Sequence, residues 1–441
     1  MPIALAQAIG PHAGAATIAS AVEAAIAESR LAPAEKLPTV RELAANLGVS
    51  PATVAAAYRT LRQRGFVVTG RGRGTQVAAV PPVRVRRAAE LPPGVRDLSR
   101  GNPEPALLPP LGDALARIET THKLYGDAPK LPELASLAAA EFTADGVHGE
   151  VAITNGALDA IERALQTELR VGDVVVVEDP VWPRIPDLVH ALGLAIEPVP
   201  VDRRGLDPEA LEQALRAGAR AVIATPRGQN PTGASIDRAR ARELRATLER
   251  YPDVLLIEDD YVARAAGAPY VPIHRPAGRW LVVRTLSKVL GPDLRVALVA
   301  GDALTVSRLE GRQALGPGWV SHILQRLAAF LLEDASTLHL LARAERAYAG
   351  RRRALVEALA ARGIDSTGDS GLSVWVPLAD EAAAVRELLL QGWAVSPGER
   401  YRFRTAPGIR ITTADLEPAE AEKLADAIAA LRDGGPRVYS G

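Results

Sequence analysis

The first part of the chain alternates apolar and polar positions in the way that is typical of short helices. Apolar residues recur at helical spacing in residues 17–30 and again in residues 37–65. Thr39 and Glu42 have the spacing of a capping box, which predicts that a helix begins there. Gly48 predicts the end of that helix, because glycine readily adopts the left-handed conformation of a helix C-terminus. The pattern therefore predicts two helices and a turn before the next element.

A third helix and a hairpin are predicted next. Ser50 can cap the third helix, and Pro51 follows at the first helical position, where proline is tolerated. After Gly65 the sequence FVVTGRGRGTQVAAV alternates like two short strands around a turn of glycine and arginine. Three helices followed by a hairpin predict a winged helix-turn-helix domain. The apolar stripe of the third helix consists of Val54, Ala57, Tyr58 and Leu61.

From about Asp97 onward, strand-like apolar runs alternate with helical stretches. Runs such as VGDVVVVEDP, DVLLIEDD and WLVVRTL have the near-continuous apolar character of strands buried in a largely parallel sheet. This alternation predicts a large α/β domain followed by a small α+β domain. The predicted boundaries are 1–77 for the winged helix-turn-helix domain, 78–96 for a proline-rich linker, 97–330 for the large domain and 331–441 for the small domain.

Charge is distributed unevenly along the 441 residues, although 52 basic and 52 acidic side chains cancel overall. Residues 1–87 contain 11 basic and 4 acidic residues, a net charge of +7, and this excess suggests a polyanionic partner such as DNA. The absence of cysteine excludes disulfides and thiolate metal sites, and the seven histidines have no metal-ligand spacing. No apolar run is long enough to cross a membrane, so we expect a cytoplasmic protein without a bound metal.

A lysine with the chemistry of a covalent ligand site follows one predicted strand. In TLSKVLGPDLR, residues 285–295, Lys288 lies among small and hydroxyl-bearing residues. Burial would lower the pKa of such a lysine and free its amine to form a Schiff base with an aldehyde. Thr285, Ser287 and Arg295 supply two hydroxyl groups and a planar cation, which suit a phosphate group. A lysine in a solvated loop can have the same local sequence, so other motifs are needed to distinguish a ligand-binding lysine from a solvated one.

Two further motifs follow predicted strands. IEDDY, residues 257–261, ends one strand, and a buried carboxylate at this point could keep a pyridine nitrogen protonated, which makes the ring an electron sink. RGQNPTG, residues 227–233, places a side-chain amide before a proline-containing turn. Separately, these motifs are compatible with a solvated strand end and a simple β-turn. In this order, together with the lysine motif, they favour a common site.

The three motifs resemble those of the class I/II aminotransferases of PLP fold type I, and the resemblance covers roughly residues 97–432. It implies pyridoxal 5′-phosphate (PLP) as the cofactor, with Lys288 as the Schiff-base lysine and Asp259 beside the pyridine nitrogen. It also implies that Arg410 binds the α-carboxylate of an effector, while Arg184 either contacts a second acidic group or is a surface arginine. The other cofactor residues that it implies are Tyr261 and Asn230 at the ring oxygen, Gly156, Ala157, Thr285, Ser287 and Arg295 at the phosphate, Trp182 stacked on the ring, and Tyr125 reaching a phosphate across a dimer interface.

The N-terminal motifs resemble the GntR-type DNA-binding domain, and the two halves together resemble the MocR-type subgroup of GntR regulators. This resemblance implies double-stranded DNA as a partner and a homodimer, and the subgroup usually exchanges its DNA-binding domains between subunits. Hydroxyl groups and arginines of the second and third helices and of the wing are expected to contact the DNA. These residues are Arg41, Ser50, Thr53, Tyr58, Arg59, Arg71 and Arg73.

Three functions are compatible with these motifs. The favoured one is a transcriptional regulator whose aminotransferase-like domain senses PLP, or PLP with an amino compound. The second is a catalytically active aminotransferase with a DNA-binding appendage, which the nearly complete DNA-binding motif disfavours. The third is a DNA-binding protein whose C-terminal domain no longer binds PLP, which the intact Lys288 and Asp259 motifs disfavour.

Overall fold

The structure is a computed structural model that describes residues 9, 13–27, 30–32, 35–70, 74–78 and 91–433. The chain divides into two compact units, which we describe separately. The first unit contains residues 1–89 with the segments 170–175 and 184–196, and the second contains residues 90–169, 176–183 and 197–441. Among the described residues, no helix combines the length and the apolar character that a bilayer span requires.

The winged helix-turn-helix that the sequence predicts is confirmed in the first unit. Thr39 and Glu42 form the expected capping box, in which the Glu42 amide donates to Thr39 Oγ1 (3.3 Å) and the Thr39 amide donates to Glu42 Oε2 (2.8 Å). Gly48 ends that helix in the left-handed conformation with φ of 64°. The elements are α1 (Ala15–Ala27), α2 (Val40–Leu47), α3 (Pro51–Gln63) and an antiparallel hairpin of β1 (Val67–Gly70) and β2 (Gly74–Val77).

The core of this domain is formed by one apolar face from each helix together with the hairpin. These side chains are buried because each helix places its apolar residues at three- and four-residue spacing on one side. The fully or nearly fully buried members include Ile18, Val22, Leu43, Leu47, Val54, Ala57, Leu61, Val67 and Val77.

In the described residues of the C-terminal part, an eight-stranded sheet has the order β4-β11-β10-β9-β8-β5-β6-β7. The prediction of a largely parallel sheet holds for its centre, where β8, β9 and β10 are parallel neighbours, whereas β11 runs antiparallel to β10 and β4. The strands are β4 (Glu150–Thr154), β5 (Val174–Asp179), β6 (Ala195–Asp202), β7 (Gly205–Leu206), β8 (Ala221–Ala224), β9 (Leu255–Asp259), β10 (Arg279–Thr285) and β11 (Ala297–Gly301).

The helices of this α/β part alternate with the strands, as the sequence predicts. Strands that are buried on both faces read as apolar runs, and β8, β9 and β11 are buried at every residue. The helices are α4 (Leu111–Arg117), α5 (Pro132–Ala144), α6 (Ala157–Glu168), α7 (Arg184–Ala191), α8 (Pro208–Arg216), α9 (Arg238–Leu248), α10 (Ala303–Ala314), α11 (His322–Glu333) and α12 (Ala335–Ala360).

The small domain contains a segment that lies far from it in the sequence. Strand β3 (Arg96–Asp97) pairs with β13 (Trp393–Ala394), and Leu98 is fully buried in the small-domain core. The predicted boundaries assign Arg96 to the linker and residues 97–98 to the large domain, whereas in the structure these residues pack with the small domain. A two-residue strand is too short to leave a periodic pattern in the sequence. The other elements are β12 (Ser373–Pro377), α13 (Glu381–Leu390), β14 (Ser396–Pro397), β15 (Gly408–Thr412) and α14 (Pro418–Asp433), with sheet order β12-β15-β14.

A buried ion network stands beside the end of β9. The Asp260 carboxylate accepts from Nε (2.8 Å) and Nη2 (2.9 Å) of Arg227 and from Nε (2.8 Å) of Arg284. The guanidinium of Arg284 also donates to Glu141 (3.1 Å) and Asp145 (2.7 Å), and its side chain is only 1% exposed. Both arginines are desolvated, so carboxylates must offset their charges, and Asp260 is the carboxylate that the two arginines share.

We expect Asp260→Asn to lower the free energy of unfolding by about 3–5 kcal/mol, because it leaves two buried guanidinium groups without their shared counter-ion. Urea unfolding followed by tryptophan fluorescence measures this loss, since all five tryptophans lie after residue 180. Asp253→Asn is the matched control, because Asp253 is exposed just before the same strand and should change stability by less than about 0.5 kcal/mol. Equal stability of the two variants would contradict this account.

Candidate functional site

The register of the sheet brings the predicted motifs to one edge. Asp259 lies opposite Val283 in the parallel pair β9–β10, and Thr285 ends β10 two residues later. Ala297, the first residue of β11, lies between Thr285 and Thr154 in the antiparallel pairs. The turns that follow β4, β9 and β10 and the turn that precedes β11 therefore share this edge, where ligands commonly bind in α/β sheets.

Lys288 lies in the turn after β10 and is half-buried. Burial, with a further contribution from the positive charge of Arg410, lowers the pKa of Lys288 to about 8. Its Nζ donates to the backbone oxygen of Gly101 at 2.5 Å. Near neutral pH the free amine, which is the form that attacks an aldehyde, is therefore far more populated than in an ordinary lysine.

Asp259 ends β9 and has a free acceptor atom. Its side chain is 6% exposed, and its buried Oδ1 has no hydrogen-bond partner in the described part of the chain. Burial, and then the negative charges of Asp260 and Glu178, raise the pKa of Asp259 to about 7. A buried carboxylate costs free energy unless it is paired, so this atom suits a cationic N–H donor such as a protonated pyridine.

The carboxylates on either side of Asp259 are already satisfied. Glu258 accepts from the Tyr270 hydroxyl (2.8 Å) and the His274 amide (2.9 Å), and Asp260 is paired with the two arginines of the buried network. Among these three consecutive acids, Asp259 is thus the one that is available to a ligand. This is the observation on which the fit of PLP to the site chiefly depends.

Tyr261 and Asn230 approach the same edge from two loops. The Tyr261 hydroxyl donates to the Gly228 carbonyl oxygen at 2.7 Å, and burial raises the pKa of this tyrosine, which keeps the proton on the hydroxyl. The buried Oδ1 of Asn230 is unpartnered in the described part of the chain, as is Oδ1 of Asp259. Two unpaired oxygens in one buried site indicate polar groups that a ligand can satisfy.

Sequence reasoning missed the residues that hold the Asn230 turn. Glu178 is 1% exposed and accepts from the Thr225 amide (2.8 Å) and from Gln229 Nε2 (3.0 Å). Gln229 in turn accepts from the Thr232 amide at 3.0 Å. The available signal was an acidic residue directly after the apolar run VVVV, because such a carboxylate is buried only when donors surround it.

A cradle for a phosphate group lies at the start of α6. Gly156 precedes this helix with φ of 94°, and a Cβ at this position would lie 2.5 Å from Arg295 Nη2. Arg295 Nη2 donates to the Asn155 carbonyl oxygen at 3.2 Å, and the hydroxyl oxygens of Thr285 and Ser287 lie 2.9 Å apart. A helix N-terminus, two hydroxyls and a guanidinium together suit a phosphate dianion.

Arg410 is a buried cation in β15. It is 3% exposed and donates to Ser373 Oγ (3.1 Å), the Ser99 carbonyl oxygen (3.1 Å), the Tyr401 hydroxyl (3.0 Å) and Thr412 Oγ1. Within the described ranges it has no carboxylate partner. All its partners are neutral, so its charge is not offset and it suits the carboxylate of a small molecule.

Three predicted ligand residues occupy more open positions. Trp182 is 36% exposed and Tyr125 is 94% exposed, with the Tyr125 ring packed edge-on against Trp319 at 5.7 Å. Arg184 is exposed at the first residue of α7. Nothing in the described part of one chain brings Tyr125 to the phosphate cradle, so its predicted role remains a prediction about a dimer.

Asp179 fixes the segment on which Trp182 lies. Its carboxylate accepts from the amides of Phe403 (2.8 Å), Arg404 (2.7 Å) and Thr405 (3.0 Å). Three amide donors on one carboxylate hold a small-domain loop against the end of β5.

The predicted DNA-contacting residues fall into three groups. Arg41 and Arg59 are exposed on α2 and α3, and the Ser50 hydroxyl caps α3 by accepting from the Thr53 amide at 3.1 Å. Tyr58 requires a correction, because it is 6% exposed and its hydroxyl donates to the Pro38 carbonyl oxygen at 2.8 Å. Tyr58 therefore packs in the domain core instead of facing DNA. Arg71 and Arg73 lie outside the described residues.

Comparisons with known proteins agree with both halves of this arrangement. The family profile "Aminotransferase class I and II" matches residues 94–428, and the profile "Bacterial regulatory proteins, gntR family" matches residues 15–77. An archaeal alanine:glyoxylate aminotransferase has a TM-score of 0.68 and 25% identity, over 77% of this chain and 91% of that chain. The kynurenine aminotransferase of Pyrococcus horikoshii has a TM-score of 0.69 at 21% identity, with the same coverage, which supports the fold alone.

Several relatives are similar to this chain over most of its length. The chain is 42% identical to the vitamin B6 salvage pathway transcriptional repressor PtsJ of Salmonella typhimurium, over 89% of this chain and 92% of the relative. It is 28% identical to the pyridoxine biosynthesis transcriptional regulator PdxR of Corynebacterium glutamicum, over 76% of each chain. It is 26% identical to the probable rhizopine catabolism regulatory protein MocR of Rhizobium meliloti, over 91% of this chain and 90% of the relative.

Fold and site thus define a class of protein in which a winged helix-turn-helix is joined to a PLP-binding, aminotransferase-like domain. The chain belongs to the MocR-type subgroup of the GntR family of transcriptional regulators. It is a DNA-binding transcriptional regulator, and its cofactor is PLP.

The rate at which PLP attaches to the protein should rise with pH to a plateau, with its midpoint at about pH 8, because only the neutral amine of Lys288 attacks the aldehyde. Stopped-flow measurement of the visible absorption band as a function of pH gives the midpoint. Arg410→Gln should move this midpoint to higher pH, since it removes a positive charge that lowers the pKa of Lys288. A midpoint near 10.5, the ordinary value for lysine, would contradict the burial argument.

Proposed function

We propose that this regulator uses PLP, alone or together with an amino compound, as the signal that changes its affinity for DNA. The observation that carries the proposal is the unpartnered Oδ1 of Asp259, which lies on a buried strand end beside the turn of Lys288. A domain that merely retained the fold would gain nothing from a buried, unpaired carboxylate. The relative PtsJ is named for vitamin B6 salvage, which favours PLP itself as a signal.

When it is bound, PLP supplies an aldehyde that a lysine amine can bond and a ring that withdraws electrons. In this proposal Lys288 holds the cofactor covalently, and Asp259 holds a proton on the ring nitrogen through its free Oδ1. Arg410 receives the carboxylate of an effector, and Arg184 is a candidate for a second acidic group. Tyr261 and Asn230 flank the ring oxygen, Trp182 stacks on the ring, and Gly156, Ala157, Thr285, Ser287 and Arg295 hold the phosphate.

We propose a homodimer in the cytoplasm, in which Tyr125 of one subunit completes the phosphate site of the other. The supporting observation is that Tyr125 is 94% exposed on its own chain, which is unusual for an aromatic residue in a folded domain. Exchange of the DNA-binding domains between subunits is part of this proposal. On DNA, Arg41, Arg59, Ser50, Thr53, Arg71 and Arg73 remain the proposed contacts, and Tyr58 is removed from that set.

A second candidate function is favoured by the same three residues. Lys288, Asp259 and Arg410 are the groups that a transamination requires; Asp259 and Arg410 are buried and Lys288 is half-buried. Fold alone does not establish turnover. Steady-state transfer of an amino group between an amino acid and a 2-oxo acid would favour an enzyme, whereas binding of the amino acid without turnover would favour the sensor.

PLP titration of the purified protein should produce a visible absorption band in the wild type and none in Lys288→Ala, because the band requires the bond to the lysine amine. Asp259→Asn should bind PLP at least about tenfold more weakly, since a neutral amide no longer pairs with the ring cation. The control is Lys423→Ala, which removes an exposed lysine and should leave the titration unchanged. An undiminished band in Lys288→Ala would contradict the assignment of the lysine.

Arg41→Ala and Arg59→Ala should each weaken DNA binding and reduce the slope of log K against log salt by about one unit, if each arginine neutralises one phosphate. The probe is a duplex selected by the wild-type protein from a random-sequence pool. Arg216→Ala, which changes an exposed arginine of the second unit, should leave the slope unchanged. A slope that stays the same in both helix variants would refute the proposed DNA-facing surface.

A further inference from the structure

One short segment connects the ligand site with the start of the C-terminal part of the chain. Residues 96–101, which we name the relay segment, begin at the last residue of the proposed linker 78–96. At its beginning the Arg96 amide donates to the Gly392 carbonyl oxygen and the Leu98 amide donates to the Ala394 carbonyl oxygen, both at 2.8 Å. The Thr412 amide donates to the Leu98 carbonyl oxygen at 2.9 Å. This end of the relay segment is therefore built into the small domain.

The other end of the relay segment contacts the two groups that are proposed to bind ligands. Lys288 Nζ donates to the Gly101 carbonyl oxygen at 2.5 Å, and Arg410 Nη1 donates to the Ser99 carbonyl oxygen at 3.1 Å. A Cβ at Gly101 would lie 2.9 Å from Arg410 Nη2, so the backbone passes very close to this guanidinium. Each of the two ligand-binding cations is thus bonded to a backbone oxygen of the same three-residue stretch.

Side chains make the relay segment stiff between its two ends. The Asp97 carboxylate accepts from the Ser99 amide (3.0 Å) and the Ser99 hydroxyl (2.6 Å). Arg96 forms ion pairs with Asp415 (2.8 Å) and Glu420 (3.0 Å) near the start of α14. A displacement at Gly101 is therefore passed along the backbone to Arg96 and is not absorbed by a loose turn.

We propose that the relay segment transmits ligand occupancy to the DNA-binding domain, because ligands take Lys288 and Arg410 away from the carbonyl oxygens of Gly101 and Ser99. This inference rests on the proposed function, and it names the path by which the site regulates DNA binding. Ligands can shift the conformational equilibrium because the relay segment keeps its hydrogen bonds to Lys288 and Arg410 in the ligand-free state and loses them in the ligand-bound state.

The two contacts are lost in two chemically distinct steps. When the neutral Lys288 amine condenses with the aldehyde, a carbon–nitrogen double bond forms, and both amine hydrogens leave with the aldehyde oxygen as water. The Gly101 oxygen then has no donor on Lys288. An effector carboxylate instead competes with the Ser99 oxygen for the guanidinium of Arg410, and an anionic acceptor forms the stronger hydrogen bond. PLP alone therefore releases Gly101, whereas an effector carboxylate at Arg410 releases Ser99.

Hydrogen exchange of the full-length protein tests the first step without DNA. Amides in residues 96–101 should exchange at least about threefold faster after PLP binds, because the segment loses a tether. Lys288→Ala without PLP should exchange at the same increased rate, because the variant lacks the amine. If PLP produces its visible band but exchange in residues 96–101 stays the same, the relay is refuted while the proposed function stands.

Arg96→Ala tests whether the relay segment reaches the DNA-binding domain. The variant should bind PLP within about twofold of wild type, but the ratio of DNA affinities with and without PLP should fall at least about fivefold toward one. The DNA probe is the duplex selected by the wild-type protein. Arg362→Ala is the matched control, because Arg362 also pairs with two acids of α14, Glu422 (2.9 Å) and Asp426 (2.7 Å), but lies outside the segment.

The outcomes separate the two proposals. An unchanged ratio in Arg96→Ala, or an equal loss in Arg362→Ala, overturns the relay and leaves PLP sensing intact. A ratio of one in the wild type, in spite of a visible PLP band, overturns the proposed function and the relay together. A loss in Arg96→Ala alone, with faster exchange in residues 96–101 on PLP binding, supports the relay.

Discussion

The end of strand β9 carries three consecutive carboxylates in a nearly dry environment, and the surrounding structure is arranged around their charges. Glu258 contacts the Tyr270 hydroxyl, the backbone and the His274 ring, and Asp260 is held between two arginines. Of the three, Asp259 alone has an oxygen without a partner in the described part of the chain. When both faces of a sheet are covered, a strand cannot turn alternate side chains toward water. Each of these buried carboxylates therefore needs hydrogen-bond donors or a counter-ion of its own. In our proposal the ligand pairs with Asp259.

The site depends on sheet register as much as on side chains. Because β9 and β10 are parallel neighbours, Asp259 and the turn of Lys288 meet at one edge without a long loop. The antiparallel strand β11 begins at that edge and so brings Arg295 toward the start of α6. A one-residue slip in β10 would turn Thr285 to the other face of the sheet and disperse the phosphate cradle. The hydrophobic strands are therefore part of the binding site in a geometric sense.

The sequence predicted the elements and ligand groups that leave a local pattern. The helix caps at Thr39 and Ser50, the apolar strands and the order of the Asn230, Asp259 and Lys288 motifs are all readable from a few adjacent residues. Fold class, family and cofactor could be inferred in this way. The individual side-chain roles follow from the resemblance and await measurement.

Other features could not be read because they depend on residues far apart in the chain. Tyr58 fits the apolar stripe and also a DNA-facing position, and only its bond to the Pro38 carbonyl oxygen decides between them. Leu98 joins a core formed some 260 residues or more later. The contacts of Ser99 and Gly101 are made by backbone oxygens, which every residue type possesses, so no sequence motif can mark them.

The bonds of Asp179 have a consequence for how the second unit can deform. Its carboxylate ties residues 403–405 to the end of β5, three residues before Trp182. Any rotation of the small domain must therefore carry this strand end with it or break three hydrogen bonds from backbone amides at once. Trp182, which we propose to stack on the ring, would in that rotation move together with the body that holds Arg410. The residue proposed to stack on the ring and the arginine proposed to bind the effector carboxylate would therefore approach an effector together, as one rigid body.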